Sequence, residues 1–291
     1  MSTIEIKNVS KRFKETVALD NVTLTLEENK IYGLLGRNGA GKSTLLNIIS
    51  NRVFADNGEV LYDGEVLTEN DRLQKNIYLM SEKSFYSDNL NVKQIFDWTK
   101  EFYPDFDCDY AMKLSERFGL NVKKKVKQLS TGYSSIFKLI LALSVNTPFT
   151  FLDEPVLGLD ANHRELFYKL LIETYAENPR TFVLSTHLIE EVSKIIEDIV
   201  IIKNGRIIRH ESTEDLLALG YTVSGPKSVV DAYCQGREVI GEDTLGSLKV
   251  AYCLGQKDSV AADLTLEFSP LDLQKLFVQL TNDAGTSTTV L

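Results

Sequence analysis

The spacing of apolar residues changes period several times along the chain, and each change marks a structural unit. Ile4, Ile6 and Val9, then Val22, Leu24 and Leu26, alternate with polar neighbours, which predicts an antiparallel strand pair turning at Leu19-Asp20-Asn21. Ile31-Tyr32-Gly33-Leu34-Leu35 is an unbroken apolar run and reads as a buried strand. Glu59-Val60-Leu61-Tyr62, flanked by Asn57-Gly58 and Asp63-Gly64, and Asn76-Ile77-Tyr78-Leu79-Met80 read as further strands. From 91 to 119 the period lengthens to that of a helix, first through Val92, Ile95 and Phe96, then through Tyr110, Met112, Leu114 and Phe118 up to a capping Gly119. A third helix runs through Ile136 to Leu143. Strands return at Phe149–Glu154 and Thr181–Ser185, with a helix through Leu166 and Leu170 between them.

Lys203-Asn204-Gly205 is a hairpin turn between apolar strands at 199–202 and 206–208, and Ser212 opens a short helix. Beyond Gly220 the order predicted is strand (221–224), helix (Pro226 to Tyr233), strands (248–252 and 264–268) and helix (Pro270 to Thr281). Asn282 to Leu291 are small and polar and read as a frayed end. The pattern divides the chain into an α/β unit over 1–219, with a helical insertion at about 85–145, and a small α+β unit over 220–291.

The chemistry concentrates at the ends of the apolar strands. After the strand at 31–35 comes Gly36-Arg37-Asn38-Gly39-Ala40-Gly41-Lys42-Ser43-Thr44, a glycine loop leading into a helix. Its glycines let backbone N–H groups turn inward around phosphate oxygens, with the positive end of the helix dipole behind them. Lys42 then reaches the β- and γ-phosphates, and the Ser43 hydroxyl can ligate Mg²⁺. The strand at 149 ends in two carboxylates. Asp153 is placed to bind Mg²⁺ through its water shell, and Glu154 to orient or deprotonate an attacking water. His187 closes the next strand, at the carboxyl edge where open α/β sheets gather ligands. Ser130 and Gly132 open a second helix whose N-terminus can receive an anion. Phe13, among Lys11, Arg12 and Lys14, either stacks on an adenine ring or covers a sheet edge.

Composition narrows this little. The 291 residues are 43% hydrophobic and 25% charged, as in an ordinary globular protein. A formal charge of -9 gives no overall attraction to nucleic acid. Cys108, Cys234 and Cys253 lack metal-site spacing, no secretory signal is visible, and no apolar stretch approaches the ~18 residues of a membrane span.

Together these pieces resemble the nucleotide-binding subunit of ABC transporters over roughly residues 2–215. The resemblance rests on the phosphate loop, a signature-like Leu129-Ser130-Thr131-Gly132-Tyr133, the carboxylate pair about 20 residues on, Gly158-Leu159-Asp160, and His187 after its strand. It implies a P-loop NTPase core of the ABC ATPase kind, with an antiparallel β subdomain and a helical insertion. Two such subunits would hold ATP and Mg²⁺ between them, the phosphate loop of one facing the signature of the other. Phe13 falls on the position that stacks adenine, with Val17 beside it. Asn38, Gly39, Ala40, Gly41, Lys42, Ser43 and Thr44 fall on the phosphate loop, and Ser130 and Gly132 on the signature. Glu154 falls on the general base, His187 on the γ-phosphate contact, and Asp160 on the turn that meets the partner subunit.

Four positions depart from the family pattern, in three places. Glu82 stands where Gln is usual as a Mg²⁺ ligand beside Ser43 and Asp153, Thr131 and Tyr133 alter the signature, and Thr150 interrupts an apolar strand that is expected to tolerate it. The variant signature and short insertion look most like subunits serving bacterial ABC-2 type exporters. These sit on the cytoplasmic face of the plasma membrane, held by a separate permease. Phe85, Tyr86 and Leu90 then either help line the groove that docks it or pack in the core of the helical insertion. The 220–291 unit is expected either to mediate dimerisation or regulation or to act as a cap that stabilises the ATPase core. The alternatives are a soluble ABC-type ATPase acting on DNA or ribosomes, which the lack of a coiled-coil insertion opposes, and a regulatory member of an unequal dimer.

Overall fold

A computed structural model describes residues 2–83, 86–257 and 265–282. The chain opens with strands β1 (Thr3–Phe13) and β2 (Thr16–Glu27), then β3 (Ile31–Leu35), helix α1 (Lys42–Ile49), β4 (Asn57–Tyr62), β5 (Glu65–Val66), α2 (Asp71–Gln74) and β6 (Ile77–Met80). Helices α3 (Val92–Phe102), α4 (Cys108–Arg117) and α5 (Thr131–Ser144) form the insertion. The α/β alternation resumes with β7 (Phe149–Asp153), α6 (Ala161–Glu177), β8 (Thr181–Thr186), α7 (Ile189–Val192), β9 (Asp198–Lys203), β10 (Arg206–Ser212) and α8 (Thr213–Leu219). The last stretch holds β11 (Gly220–Pro226), α9 (Lys227–Cys234), β12 (Glu238–Leu245), β13 (Leu248–Leu254), β14 (Glu267–Pro270) and α10 (Leu273–Thr281).

The central sheet runs β10-β9-β3-β8-β7-β6, with β9, β3, β8, β7 and β6 parallel and β10 antiparallel at the edge. Its strands read as unbroken apolar runs because both faces are covered. Ile31 and Leu35 of β3 face the cluster under the inserted helices, while Tyr32 and Leu34 face the cluster shared with α1 and the antiparallel sheet. The same split holds in β8, where Phe182 and Leu184 point one way and Val183 the other. Each such large side chain, fully buried, contributes roughly 1.5–3 kcal/mol. Thr150, at the middle of β7, is wholly buried yet satisfied, since its hydroxyl lies 3.1 Å from that of Thr147.

The antiparallel sheet, β2-β1-β4-β5, corrects two expectations. The first turn falls at Lys14 and Glu15, not at Leu19-Asp20-Asn21, which lies inside β2. Asn21 has a φ of 53° there, next to a register shift in the ladder, so a residue typical of turns marks a bulge. Gly58 likewise sits within β4 rather than before it. With φ of 81°, a Cβ there would lie 2.4 Å from the Lys7 carbonyl oxygen, so only glycine fits.

The third sheet is β12-β13-β11-β14. It has one strand more than expected, β12, and β14 spans 267–270 rather than 264–268; residue 264 and the tail expected to fray from 283 onward lie outside the described residues. This sheet has its own small core of Tyr221, Val223, Val230, Ala251 and Cys253. Helix α10 packs against both β12 of this sheet and α7, and Leu273, Leu276 and Phe277 join the apolar cluster of the central sheet. Lys203 donates to the Asn282 carbonyl at 2.7 Å, fixing the end of α10 beside the β9–β10 turn.

Candidate active site

Strand order brings the chemistry together. Strand β3 has β8 beside it and β7 beyond, in parallel register with Leu35 opposite Thr186 and Asp153 opposite Ser185. The phosphate loop, His187 and Glu154 therefore leave the sheet side by side at its carboxyl edge. They border a cavity of about 430 Å³, walled by Asn38 to Thr44 of the loop and by Glu82, Glu154 and His187.

The loop is shaped for close approach. Gly39 has φ of 80°, and Gly41 has φ of 113° with the space for a Cβ filled by the Ala18 carbonyl oxygen at 2.5 Å. Gly41 precedes α1, whose first N–H groups receive no side-chain cap among the described residues and remain available to an anion. Lys42 is 6% exposed and bends back onto the loop, donating to the Gly36 carbonyl at 2.7 Å. Burial pulls the Lys42 pKa down, against the opposing pull of the Glu154 and Asp153 carboxylates.

Asp153 is buried and accepts from the Ser185 hydroxyl at 3.0 Å. One residue on, Glu154 adopts the left-handed conformation, φ 49°, with its N–H bonded to the Ser185 carbonyl at 2.8 Å. A non-glycine residue there stores backbone strain of order 1–3 kcal/mol, and the turn aims the Glu154 side chain into the cavity. Its Oε2 lies 2.9 Å from Nδ1 of His187. The chain thus sets a carboxylate and a histidine in contact across the mouth of a phosphate cradle.

Glu82 borders this cavity and also an adjoining one of about 380 Å³ that Asp153 and Glu154 line. Thr16, Ala18 and Leu157 complete the first cavity's wall. Neither these nor Ser185 were singled out in the sequence, where small and apolar residues give no chemical signal. Phe13 and Val17 are exposed beside that wall, 47% and 42%, with the Lys11 ammonium 5.4 Å from the Phe13 ring. Thr16 and Ala18, rather than Phe13 and Val17, line the cavity itself.

Of the signature residues, Leu129 and Thr131 line the second cavity with Asp153 and Glu154, whereas Ser130 and Gly132 line neither. Ser130 caps α5 from an exposed position, accepting from the Tyr133 N–H at 3.4 Å. Gly132 packs on its own chain's Gly158, where a Cβ would come within 3.2 Å of the carbonyl oxygen. Asp160 caps α6, accepting from the His163 N–H at 2.9 Å and lying 2.8 Å from its ring nitrogen; these bonds hold its carboxyl below the usual range.

Of the residues expected to dock a permease, Phe85 lies outside the described residues. Tyr86 packs edge-on against Phe137 and shares a 2.8 Å hydrogen bond with the Tyr78 hydroxyl, lining a cavity of about 170 Å³. Leu90 is half-buried against the core.

A phosphate cradle on the central strand, with two carboxylates and a histidine on its parallel neighbours, defines an ATPase cassette. The ABC transporter family profile matches residues 19–157, and the chain belongs to the family of ABC transporter ATP-binding proteins. It is 32% identical over 213 residues to the ABC transporter ATP-binding protein YtrB of Bacillus subtilis, a match covering 73% of each chain. To the petrobactin import ATP-binding protein YclP of the same organism it is 29% identical over 223 residues, covering 74% of this chain and 88% of that one. The solved dimeric post-hydrolysis state of the cassette MJ0796, bound to ADP and phosphate, matches with a TM-score of 0.62 at 26% identity, over 72% of this chain and 98% of that one.

Proposed function

We propose that this ATPase powers export through a separate integral membrane permease, working as one of two paired cassettes on the cytoplasmic face of the membrane. The observation that carries the pairing is the division of the site. Glu154 and His187 face one cavity with Lys42, while Ser130, at the start of α5, is exposed outside it, with Gly132 half-buried beside it. A second cassette, identical or related, would bring its Ser130 to the phosphates that Lys42 holds, and the dimeric likeness of MJ0796 supports this.

In this reading Phe13 and Val17 flank the adenine, and Asn38, Gly39, Ala40, Gly41, Lys42 and Thr44 hold the phosphates. Glu154 orients and deprotonates the attacking water, His187 contacts the γ-phosphate, and Asp160 meets the partner cassette. Among the described residues no group of three or more His, Cys, Asp or Glu forms a metal cage. That suits Mg²⁺, which keeps its waters and arrives with the phosphates, held by the hard oxygens of Ser43, Asp153 and, in part, Glu82. The bound ion would polarise the phosphoryl oxygens.

Among the described residues no helix is long and apolar enough to cross a membrane, so transport needs a partner that spans it. The pocket at Tyr86 offers that partner a seat. Export is favoured by the variant signature and short insertion; YclP, by its name, serves import. The stretch over 220–291 would act as an accessory domain for dimerisation or regulation. No nucleic-acid role is proposed, given the net charge of -9.

The test is size-exclusion chromatography with light scattering on wild type and Glu154→Gln, with and without ATP and Mg²⁺. The substitution should slow hydrolysis about 10²–10⁴-fold, the range of general-base catalysis, and accumulate an ATP-bound dimer. A Glu154→Gln protein that binds ATP and stays monomeric would remove self-pairing. Tagged chain purified from solubilised membranes should carry a polytopic partner; ribosomes or nucleic acid in its place would favour the soluble alternative.

A further inference from the structure

The cavity of about 380 Å³ beside the phosphate site is lined by three carboxylates, Glu82, Asp153 and Glu154, and by one cation, Lys138. Lys138 lies about two turns into α5, the helix that Ser130 caps. Its ammonium donates to the carbonyl of Ser81 at 3.3 Å and, more closely, to that of Glu82, the two residues that follow β6. The same side chain lines the 170 Å³ pocket, together with Tyr78, Tyr86 and Tyr103. Lys138 thus stands in the wall between the two cavities. A half-buried ammonium is costly unless it is bonded, and burial lowers the Lys138 pKa while the Glu82 charge opposes that shift.

We propose that Lys138 is a positioning residue for ATP hydrolysis, clasping the backbone of the Glu82 loop to the signature helix and offsetting the Glu82 carboxylate beside the phosphates. The clasp makes the loop and α5 move as one body. Whatever displaces the loop from the Tyr86 side is then felt at the start of α5, and a helix shift reaches Glu82. The hydrolytic part of the proposal rests on the placement of Glu82 at the ATP site.

The experiment compares Lys138→Met, Lys138→Arg, Glu82→Gln and Lys138→Met/Glu82→Gln in the full chain. Hydrogen exchange of the peptide over 77–83 is followed beside steady-state hydrolysis and its Mg²⁺ dependence. Loss of a charge-assisted bond predicts, for Lys138→Met, exchange about tenfold faster and kcat about tenfold lower, with KM for ATP within about twofold. Lys138→Arg should restore most of both, and the kcat loss of the double variant should be smaller than the product of the single losses. Unchanged exchange in Lys138→Met, or a kcat equal to wild type, overturns the proposal. Should Lys138→Met fail to fold, Lys138→Gln removes the charge while keeping a donor and is read against the same outcomes. Glu82→Gln with wild-type kcat and Mg²⁺ dependence would instead remove Glu82 from the ATP site, a failure read separately from the exchange result.

Discussion

Two helices begin with exposed or ligand-facing N-termini in the ATPase core, and they treat their first N–H groups in opposite ways. Helix α1 follows Gly41, which brings no side chain to cap it, and opens beneath the phosphate cavity with Lys42 buried beside it. Helix α5 follows Ser130, which caps its own helix and leaves the site exposed. Forgoing a cap costs about 1 kcal/mol, and α1 recovers it only when an anion arrives. Helix α5 carries its own cap and needs no ligand to satisfy its first turn. In the pairing proposed above, the α1 site would bind phosphate alone and the α5 site would complete it.

The sharpest way to break this contrast is Lys42→Ala. Removing the ammonium from a preorganised, half-dry cradle should cut hydrolysis by about 10²–10³-fold and weaken ATP binding to the isolated chain, read by turnover and by nucleotide titration. Turnover within tenfold of wild type would mean that α1 and its loop do not hold the reacting phosphates. Ser130→Ala should have a smaller and differently placed effect. The lost cap lowers the melting temperature by about 2–4 °C. Hydrolysis should fall about tenfold, one charge-assisted bond lost, while ATP binding to the monomer changes less. Equal losses in binding and turnover would place Ser130 at its own chain's phosphates.

The smallest effect concerns the third helix start, at Asp160. Its carboxyl is held below the usual range, first by the His163 N–H and then by the His163 ring. A depressed folded-state pKa gives stability that is complete above the unfolded carboxylate value of about 4 and is lost as pH falls through the folded value. Thermal melts of wild type and Asp160→Asn should therefore differ near neutral pH and converge in acid. A gap that does not narrow as the pH falls below the unfolded carboxylate value would rule out ionisation of Asp160 as its source.

What could be read from the sequence follows from burial. Strands β3, β7 and β8 are covered on both faces, so their apolar runs are long and their ends, where Lys42, Glu154 and His187 sit, are sharp. Strand β12 carried no such signal, because none of its eight residues is buried. The bulge at Asn21 imitated a turn since both need a residue that tolerates positive φ. Within the site, residues with distinctive chemistry were legible and their supports were not. Nothing in the sequence marks Ser185 as the partner of Asp153, because that pairing arises from parallel register across a gap of 32 residues. Lys138 sits in an otherwise apolar helical run and becomes meaningful only once α5 is laid against the end of β6.

The seat of α10 has a practical consequence for handling the protein. Leu273, Leu276 and Phe277 lie in the same apolar cluster as Ile189 and Val192 of α7, two turns or less from His187. A shortened gene product ending at 219 would strip that cover and leave an oily face beside His187. Such faces make proteins stick to one another. A truncated cassette that elutes as a large species should therefore be checked for aggregation before its size is taken as pairing.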